Sequence, residues 1–252
     1  YLRTGQILHL AIGTYFKKLQ EGATGSFEWV CDWAQSIYCE DREHSRTQAY
    51  QSAQSEEEYP PVPLLEYYYG FPDADELFAQ SEECLLEALR NFLSSDAFTS
   101  LRFDGSRPNA LVERQIRFEV EHFTARGKID LAFRRDDGHI AICDWKARGS
   151  GDRIGDSLQL LCYALWAVGE YQCSPSDVII SKAYLEDQTI STATVSEQNL
   201  QRAKARIIQD LEKMKSLEEY GSNAVAEAFT PCGQVRICEL CPFQGVCPKE
   251  LD

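Results

Sequence analysis

The chain is poor in methionine, in basic charge and in long apolar stretches. It has a single methionine and none at its start, so we expect the sequence to begin inside a longer protein. No apolar run approaches the ~20 residues that span a bilayer, and no signal peptide is recognisable, so we predict no membrane partner. Acidic residues number 40 against 25 lysines and arginines, a net charge of −15, which argues against a polycation that coats nucleic acid. A nucleic-acid enzyme stays compatible with this charge, because a local basic groove can coexist with an acidic exterior.

The composition is otherwise that of a globular protein. Hydrophobic residues make up 44% of the chain and aromatic residues 11%, which is enough to bury a core. A length of 252 residues permits one large domain or two small ones. Of the ten cysteines, six are scattered and are interpreted as buried free thiols, whereas four cluster near the C-terminus.

The most informative stretch is 126–148, RGKIDLAFRRDDGHIAICDWKAR. Two apolar runs flank the dipeptide Asp137-Gly138. An Asp-Gly pair between apolar runs is a strong signal for a tight turn between two strands. The stretch therefore predicts a β-hairpin.

The predicted hairpin carries two acids and a lysine. Asp130 lies in the first strand, and the second strand ends in Asp144, Trp145 and Lys146. Successive side chains of a strand point to opposite faces, so Asp144 and Lys146 share one face and Trp145 points to the other. Carboxylates bind a hard cation such as Mg²⁺, which neutralises charge on a phosphate and lowers the pKa of a bound water. The lysine can orient that water or stabilise the transition state. The pattern predicts metal-assisted phosphodiester hydrolysis, with an ordinary hairpin and a surface ion pair as the alternative.

The part of the chain before the hairpin is predicted to be mainly helical. Apolar residues recur at helical spacing over 5–19, with His9 just beside the apolar stripe. Further helices are predicted at 27–38 and 73–94, and the polar stretch 39–63 is predicted to be a loop or a frayed helix that stops at prolines. We expect these helices to form one subdomain over the edge of a sheet.

The stretches around the hairpin complete a mixed α/β core. Residues 110–123 alternate as a strand and include Glu113, which is either a surface acid or a third carboxylate near the metal. Residues 156–171 predict a helix on which Gln159 and Tyr163, four apart, share one face. That face either meets water, or meets DNA and orients the lysine. The remaining elements are strands at 177–184 and 188–195 and a helix at 198–220.

The C-terminal tail carries the pattern Cys238-x₂-Cys241-x₅-Cys247, with Cys232 six residues upstream. Thiolates at this spacing bind Zn²⁺ or iron–sulfur clusters. A local site would use Cys232 as the fourth zinc ligand. A distant fourth ligand would instead make an iron–sulfur cluster that ties the C-terminus to an N-terminal segment and stabilises the fold by closing a large loop.

In their order along the chain, these motifs resemble the PD-(D/E)XK nuclease superfamily. Within it they look most like the RecB-like group, which includes nuclease domains of helicase–nuclease complexes and the nucleases of CRISPR spacer acquisition. The resemblance covers nearly the whole chain. Its matching elements are Gly5-x₃-His9, Glu113, Gly127-Lys-Ile-Asp130, Asp144-Trp145-Lys146, Gln159-x₃-Tyr163 and the three cysteines of the tail.

The resemblance implies a ligand set for a divalent metal. His9, Asp130 and Asp144 would bind Mg²⁺ or Mn²⁺, and the backbone carbonyl of Trp145 would be a further ligand. Glu113 would be an accessory acid.

The resemblance also implies roles for three other polar residues. Lys146 would activate or position the attacking water. Gln159 and Tyr163 would position the DNA strand or the lysine.

The implied fold is restriction-endonuclease-like, a mixed β-sheet core flanked by helices in one domain of residues 1–252. It would comprise a helical part at 1–109, a catalytic α/β core at 110–220 and a cysteine-rich tail at 221–252. The implied activity is that of a cytoplasmic, metal-dependent DNA exonuclease in repair, recombination or defence, acting on single strands or free ends, with a helicase or another protein subunit as partner. The alternative is a catalytically silent module for DNA binding or assembly within a helicase–nuclease complex.

The clustered cysteines of the tail resemble the last three of the four that hold a [4Fe-4S] cluster in this group. The family's first cluster cysteine precedes the histidine motif, but the eight residues before His9 contain no cysteine. That ligand lies upstream of this sequence, or Cys31, Cys39 or Cys232 takes its place, or no intact cluster forms. Zinc is the alternative cofactor of the tail.

Overall fold

The chain is described by a computed structural model. All of the helices and strands named below lie within the described residues, whereas Cys232 lies outside them. None of the helices in the described part is long and apolar enough to cross a membrane. The described residues are 2–24, 28–49, 60–149 and 154–218, together with Cys238, Cys241 and Cys247.

A five-stranded mixed sheet forms the centre of the molecule, with its strands in sequence order across it. Neighbouring strands are antiparallel except for the third and fourth, which are parallel. This confirms the predicted mixed α/β core. The strands are β1 (Leu111–Val120), β2 (Phe123–Arg134), β3 (Ile140–Lys146), β4 (Val178–Tyr184) and β5 (Thr189–Thr194).

The predicted hairpin is formed by β2 and β3. Its turn is closed by the backbone N–H of Arg135, which donates to the carbonyl of His139 over 2.8 Å. Gly138 has a φ of +90°, a conformation that side-chain-bearing residues rarely adopt. The glycine therefore makes the tight return possible, and the Asp-Gly signal located the turn correctly.

Seven helices cover the two faces of the sheet in the described part of the chain. The helix between the parallel strands β3 and β4 makes the crossover that a parallel pair requires. The helices are α1 (Leu2–Gln20), α2 (Trp29–Arg46), α3 (Leu65–Tyr68), α4 (Ala74–Ser94), α5 (Thr99–Ser106), α6 (Leu158–Tyr171) and α7 (Glu197–Glu218).

The N-terminal helices pack on a face of the sheet. The prediction that they lie over its edge is therefore wrong. Apolar residues of α1, α2 and α4 share one hydrophobic core with Leu131, Cys143 and Trp145 of the central strands. Trp145 is completely buried and contacts the rings of Phe16 and Phe92, with centroids 6.0 and 6.2 Å apart. Along β3, Ala141, Cys143 and Trp145 face this core whereas Ile140 and Ile142 face the other, so every second side chain needs a helical cover on this side. The other face of the sheet is covered by α6 and α7.

Helix α2 continues to Arg46, well beyond the predicted end at residue 38. Its last turns are polar in sequence, but Asp41 and Ser45 point inward and are buried. Asp41 accepts hydrogen bonds from Arg3 over 2.6 Å and from the backbone N–H of Val62 over 2.7 Å. Because these inward polar groups have partners, a stretch that reads as solvent-facing is in fact packed. The short helix α5 was not predicted.

Candidate active site

Three side chains that are far apart in sequence meet where α1 crosses β1 and β2. The Nδ1 atom of His9 lies 3.2 Å from Oε1 of Glu113 and 3.2 Å from Oδ1 of Asp130. One potential ligand atom from each residue lies within 4.8 Å of the others. One imidazole and two carboxylates supply both nitrogen and oxygen ligands for a divalent cation.

Glu113 reaches this group because the backbone of β1 is distorted there. Its φ is +48°, in the left-handed region that costs a residue with a side chain on the order of 1 kcal/mol. The pairing of β1 with β2 skips Glu113 and Asp130, although Val112 and Arg114 on either side keep one register. The distortion turns Glu113 toward α1, where Gly13 leaves room for it. A Cβ at Gly13 would lie 2.6 Å from the Cγ of Glu113.

Asp130 is held in place from the neighbouring strand. Its Oδ2 atom accepts a hydrogen bond of 2.9 Å from the backbone N–H of Trp145, while Oδ1 faces His9. Only 3% of the residue is exposed. A buried carboxylate with one oxygen fixed by the backbone and the other turned to the shared group is well oriented to bind a cation.

Asp144 and Lys146 lie on the same face of β3, as their spacing predicts. The ammonium of Lys146 is 2.9 Å from Oδ2 and 3.2 Å from Oδ1 of Asp144. The side chain of Asp144 is completely buried, whereas a third of the Lys146 side chain is exposed. Asp144 therefore connects the buried acids to a lysine that solvent can reach.

A chain of hydrogen bonds holds Lys146 from the side of α6. Lys146 donates to Oε1 of Gln159 over 3.1 Å, and Nε2 of Gln159 donates to the hydroxyl of Tyr163 over 2.9 Å. The Tyr163 hydroxyl donates to the backbone carbonyl of Lys128 over 2.6 Å. Burial raises the pKa of Tyr163, so the hydroxyl keeps its proton for this bond. The relay links the lysine of β3 to the strand that carries Asp130.

Two pKa values show that negative charge is crowded in this site. Burial lowers the pKa of His9, but its contacts with Asp130 and Glu113 outweigh that effect and raise the pKa to about 9. Burial and the nearby Asp130 carboxylate raise the pKa of Asp144 to about 6, although Lys146 and His9 act in the opposite direction. The pKa of His9 is therefore raised by its acidic neighbours, whereas that of Asp144 is raised chiefly by burial, with Asp130 adding to the effect.

Two buried carboxylate oxygens of the site indicate that this set of side chains fits a divalent metal ion. Within the described residues, the buried Oε2 of Glu113 and Oδ2 of Asp144 accept no hydrogen bond. Each oxygen has only an ion pair, with Lys128 at 2.5 Å and Lys146 at 2.9 Å, whose geometry is not that of a hydrogen bond. The two lysines therefore compensate part of the buried negative charge, and a divalent cation bound directly by these oxygens would compensate more of it.

The structure brings together four of the residues that the sequence motifs single out. His9, Asp130, Asp144 and Lys146 are all gathered at one corner of the sheet. The tight group, meaning the three residues with potential ligand atoms within 4.8 Å of one another, consists of His9, Asp130 and Glu113. The family resemblance implies Asp144 as the third ligand in place of Glu113. Sequence reasoning treated Glu113 as accessory because nothing in a linear pattern reveals the positive φ that turns it inward.

One described cysteine of the tail, Cys241, contacts the N-terminal part of the chain. The backbone N–H of Cys241 donates to the carbonyl of Cys238 over 3.2 Å, which closes a turn between the two thiols. The hydroxyl of Tyr69, just after α3, donates to the carbonyl of Cys241 over 2.8 Å. Cys238, Cys241 and Cys247 are not linked by disulfides. Cys241 is therefore held close to the end of α3.

Comparison with known proteins identifies the family of the chain through a sequence model, whereas its likeness to a solved structure is weak. No curated protein sequence matches the chain significantly. Four solved protein chains match its structure, among them "Crystal structure of SSO0001", with 13% identity, a TM-score of 0.34 and coverage of 84% of this chain and 96% of that chain. That likeness is too low to carry an argument. The family model of the PD-(D/E)XK nuclease superfamily, in contrast, matches residues 2–248. With a match over almost its entire length, the chain belongs to the PD-(D/E)XK nuclease superfamily.

Proposed function

We propose that this protein is a Mg²⁺- or Mn²⁺-dependent deoxyribonuclease of the RecB-like exonuclease type. The observation that carries the proposal is the meeting of His9, Glu113 and Asp130 within 4.8 Å, next to the Asp144–Lys146 pair. Membership of a superfamily whose members are typically metal-dependent nucleases supports the same conclusion.

We assign His9, Glu113 and Asp130 as metal ligands, with Asp144 as a further one. We also propose the backbone carbonyl of Trp145 as a ligand. The N–H of the same residue donates to Asp130 and so holds this part of β3 beside the metal ligands. A bound divalent cation would neutralise charge on the phosphate and lower the pKa of a water molecule. His9 must give up its proton to become a ligand, so metal binding should release protons near neutral pH.

We assign Lys146 as the group that positions the attacking water or stabilises charge on the phosphate. Its ammonium is anchored between a buried carboxylate and Gln159, yet remains partly exposed. Gln159 and Tyr163 act through it, because their hydrogen-bond relay fixes the lysine relative to β2. Preorganised charge of this kind is usually a large contribution to catalysis.

We propose DNA as the substrate, in single-stranded form or with free ends, and a product that carries a 5′ phosphate. A helicase or another subunit would supply such strands. These assignments follow from the resemblance of the motifs to the RecB-like group. Contacts between side chains of those motifs support them.

A cleavage assay tests the proposal. A 3′-labelled single-stranded oligonucleotide is incubated with Mn²⁺ and the parent protein, with Asp144→Ala or with Lys146→Ala. We expect metal-dependent cleavage by the parent and a loss on the order of 10³-fold in each variant. Lys18→Ala is the matched control, since Lys18 is exposed and its only ion pair with a described residue is that with Glu21 at 3.5 Å. No cleavage by the parent in either metal would leave the silent DNA-binding module as the better explanation.

We further propose that the tail holds a [4Fe-4S] cluster, with zinc as the alternative. The turn between Cys238 and Cys241 and the anchor on Tyr69 support a ligand site against the N-terminal layer. Cys247 would be the third ligand, and Cys232 is one candidate for the fourth. Anaerobically purified protein should be brown and contain acid-labile sulfide. A colourless protein with one zinc per chain would contradict the cluster.

A further inference from the structure

The β1–β2 hairpin carries a row of positive charge that the proposed chemistry does not use. Arg117, Arg126 and Lys128 are all exposed on it. Arg117 lies directly opposite Arg126 in the strand register, and Lys128 follows Arg126 by two residues. Residues opposite each other, or two apart on a strand, point to the same face. The three cations therefore form one row, which we call the hairpin row.

The hairpin row lies on the α1 side of the sheet. The alternate residues Ile116 and Phe118 point the other way, into the core beneath α6 and α7. At its inner end the row reaches the active site, since Lys128 contacts Glu113 at 2.5 Å. Lys128 and Arg126 are about 7 Å apart along the strand, a distance on the scale of one or two nucleotides.

The row is an unusual feature of an acidic protein. Like charges placed directly opposite each other on paired strands destabilise the sheet. The chain carries an excess of 15 negative charges, yet among the described residues no carboxylate lies within ion-pair distance of Arg126. Among the described residues the one ion pair of Arg117 is with Glu119, at 3.5 Å, and it also donates to the hydroxyl of Thr124 over 3.4 Å. Arg117 and Glu119 are both more than half exposed, so their ion pair adds little.

The inner end of the row opens into a groove between α1 and the first two strands. The groove has a volume of about 220 Å³, and its walls include Thr14 and Lys17 of α1 together with Glu113 and Lys128. Lys17 has no carboxylate within ion-pair distance in the described part of the chain, unlike its neighbour Lys18. The groove thus places a hydroxyl and two ammonium groups beside Glu113, and the two arginines lie further along the hairpin from Lys128.

We propose that the hairpin row binds the sugar-phosphate backbone of the substrate strand and guides it into the active site. The proposal rests on the nuclease function proposed above. Arginine and lysine contact phosphates without reading sequence, so the row supplies affinity and orientation, not base preference. The repulsion between Arg117 and Arg126 is relieved when phosphates lie between them, which explains why an unfavourable pair is placed there.

A salt-dependence measurement tests the row. Binding of a fluorescein-labelled 15-nucleotide oligothymidylate is followed by anisotropy in Ca²⁺ at several salt concentrations, and the probe length is checked afterwards on a gel. We expect Arg117→Gln/Arg126→Gln to raise Kd at least about tenfold at low salt. The slope of log Kd against log salt should fall by about 1.4, because each lost phosphate contact removes about 0.7 for a single strand. In Mn²⁺ cleavage assays the loss should appear in KM and not in kcat.

Arg206→Gln is the matched control. Arg206 is on α7 and its side chain is 62% exposed, close to the 65% of Arg117. It should leave Kd within about twofold of the parent. The melting temperature of the double variant should be unchanged or higher, since two like charges are removed.

The outcomes separate the two proposals. A parent that cleaves DNA while the double variant keeps the parent's affinity and slope would overturn the hairpin row alone. A parent that binds through the row but never cleaves would overturn the nuclease proposal alone. A parent that does not bind the oligonucleotide would overturn the row as well.

Discussion

At the scale of single residues, two buried aspartates of the same exposure are in opposite situations. Asp41 is completely buried and fully paired, with Arg3 at 2.6 Å and a backbone N–H at 2.7 Å. Asp144 is equally buried, but burial and Asp130 raise its pKa to about 6. Asp144 is therefore ionised at neutral pH at a cost to the metal-free protein. Such a cost is typical of a site arranged to bind a cation.

This difference predicts opposite effects of one substitution. Asp144→Asn removes the crowded charge and should raise the free energy of unfolding in EDTA by on the order of 1–2 kcal/mol, while abolishing cleavage. Asp41→Asn breaks satisfied charge-assisted bonds and should lower the free energy of unfolding by on the order of 3 kcal/mol. Urea denaturation at pH 7.5 measures both. Equal destabilisation by the two variants would show that Asp144 is not under electrostatic strain.

His9 makes the stability of the metal-free protein depend on pH. Its pKa is about 9 in the folded protein and ordinarily 6.5, so its stabilising contribution is complete below pH 6.5 and is lost as the pH rises through 9. Asp144, whose pKa is also raised, loses its contribution in a lower window, between pH 3.8 and about 6. Between pH 6.5 and 9.5 in EDTA, the parent should lose on the order of 3 kcal/mol more than His9→Gln. Parallel curves for the two proteins would contradict the contacts of His9 with both acids.

At the scale of elements, the site depends on one distorted strand and one small helical residue. Glu113 enters the group because β1 adopts a φ of +48° there, and α1 admits its side chain at Gly13. A straight strand would place Glu113 opposite Asp130 in the ladder. The distortion therefore changes a strand acid into a candidate ligand.

Two glycines of α1 provide a matched test of that fit. Gly5 has open space where a Cβ would be, whereas a Cβ at Gly13 would lie 2.6 Å from Glu113. Gly5→Ala should raise stability by up to about 1 kcal/mol, the usual gain for alanine within a helix. Gly13→Ala should lose that gain and weaken Mn²⁺ binding at least about tenfold. Calorimetric titration and thermal melting measure the two effects, and similar behaviour of both variants would show that Glu113 has room to move.

How far the sequence could predict these elements depended on how local each signal was. The β2–β3 hairpin was predicted correctly because its turn is encoded by adjacent residues, with Gly138 at a φ of +90°. The C-terminal end of α2 was not, since inward-facing Asp41 and Ser45 look like surface residues. Their partners, Arg3 and Val62 for Asp41 and the backbone N–H of Leu64 for Ser45, lie far from them in the sequence. Polar residues that are satisfied by distant partners carry no local mark of burial.

At the scale of the whole molecule, the site forms because helices pack against both faces of one sheet and each layer contributes side chains to it. Helix α1 delivers His9 from one face, and α6 delivers Gln159 and Tyr163 from the other. The order of motifs along the chain predicted which residues would take part. The exchange of Asp144 for Glu113 in the tight group could not be predicted, because it arises from the crossing of α1 over β1, across 104 residues of sequence.

The most direct test is a titration of the metal-free protein with Mn²⁺, followed by calorimetry or by the electron paramagnetic resonance of the free ion. We expect saturable binding with His9, Glu113 and Asp130 as ligands, and an affinity at least about tenfold lower, or ~1.4 kcal/mol, for Asp130→Asn. Lys18→Ala should match the parent, because among the described residues the ammonium of Lys18 forms an ion pair only with Glu21. A parent that binds no Mn²⁺, or an Asp130→Asn variant that binds it as tightly as the parent, would contradict the assignment of this group as the metal site.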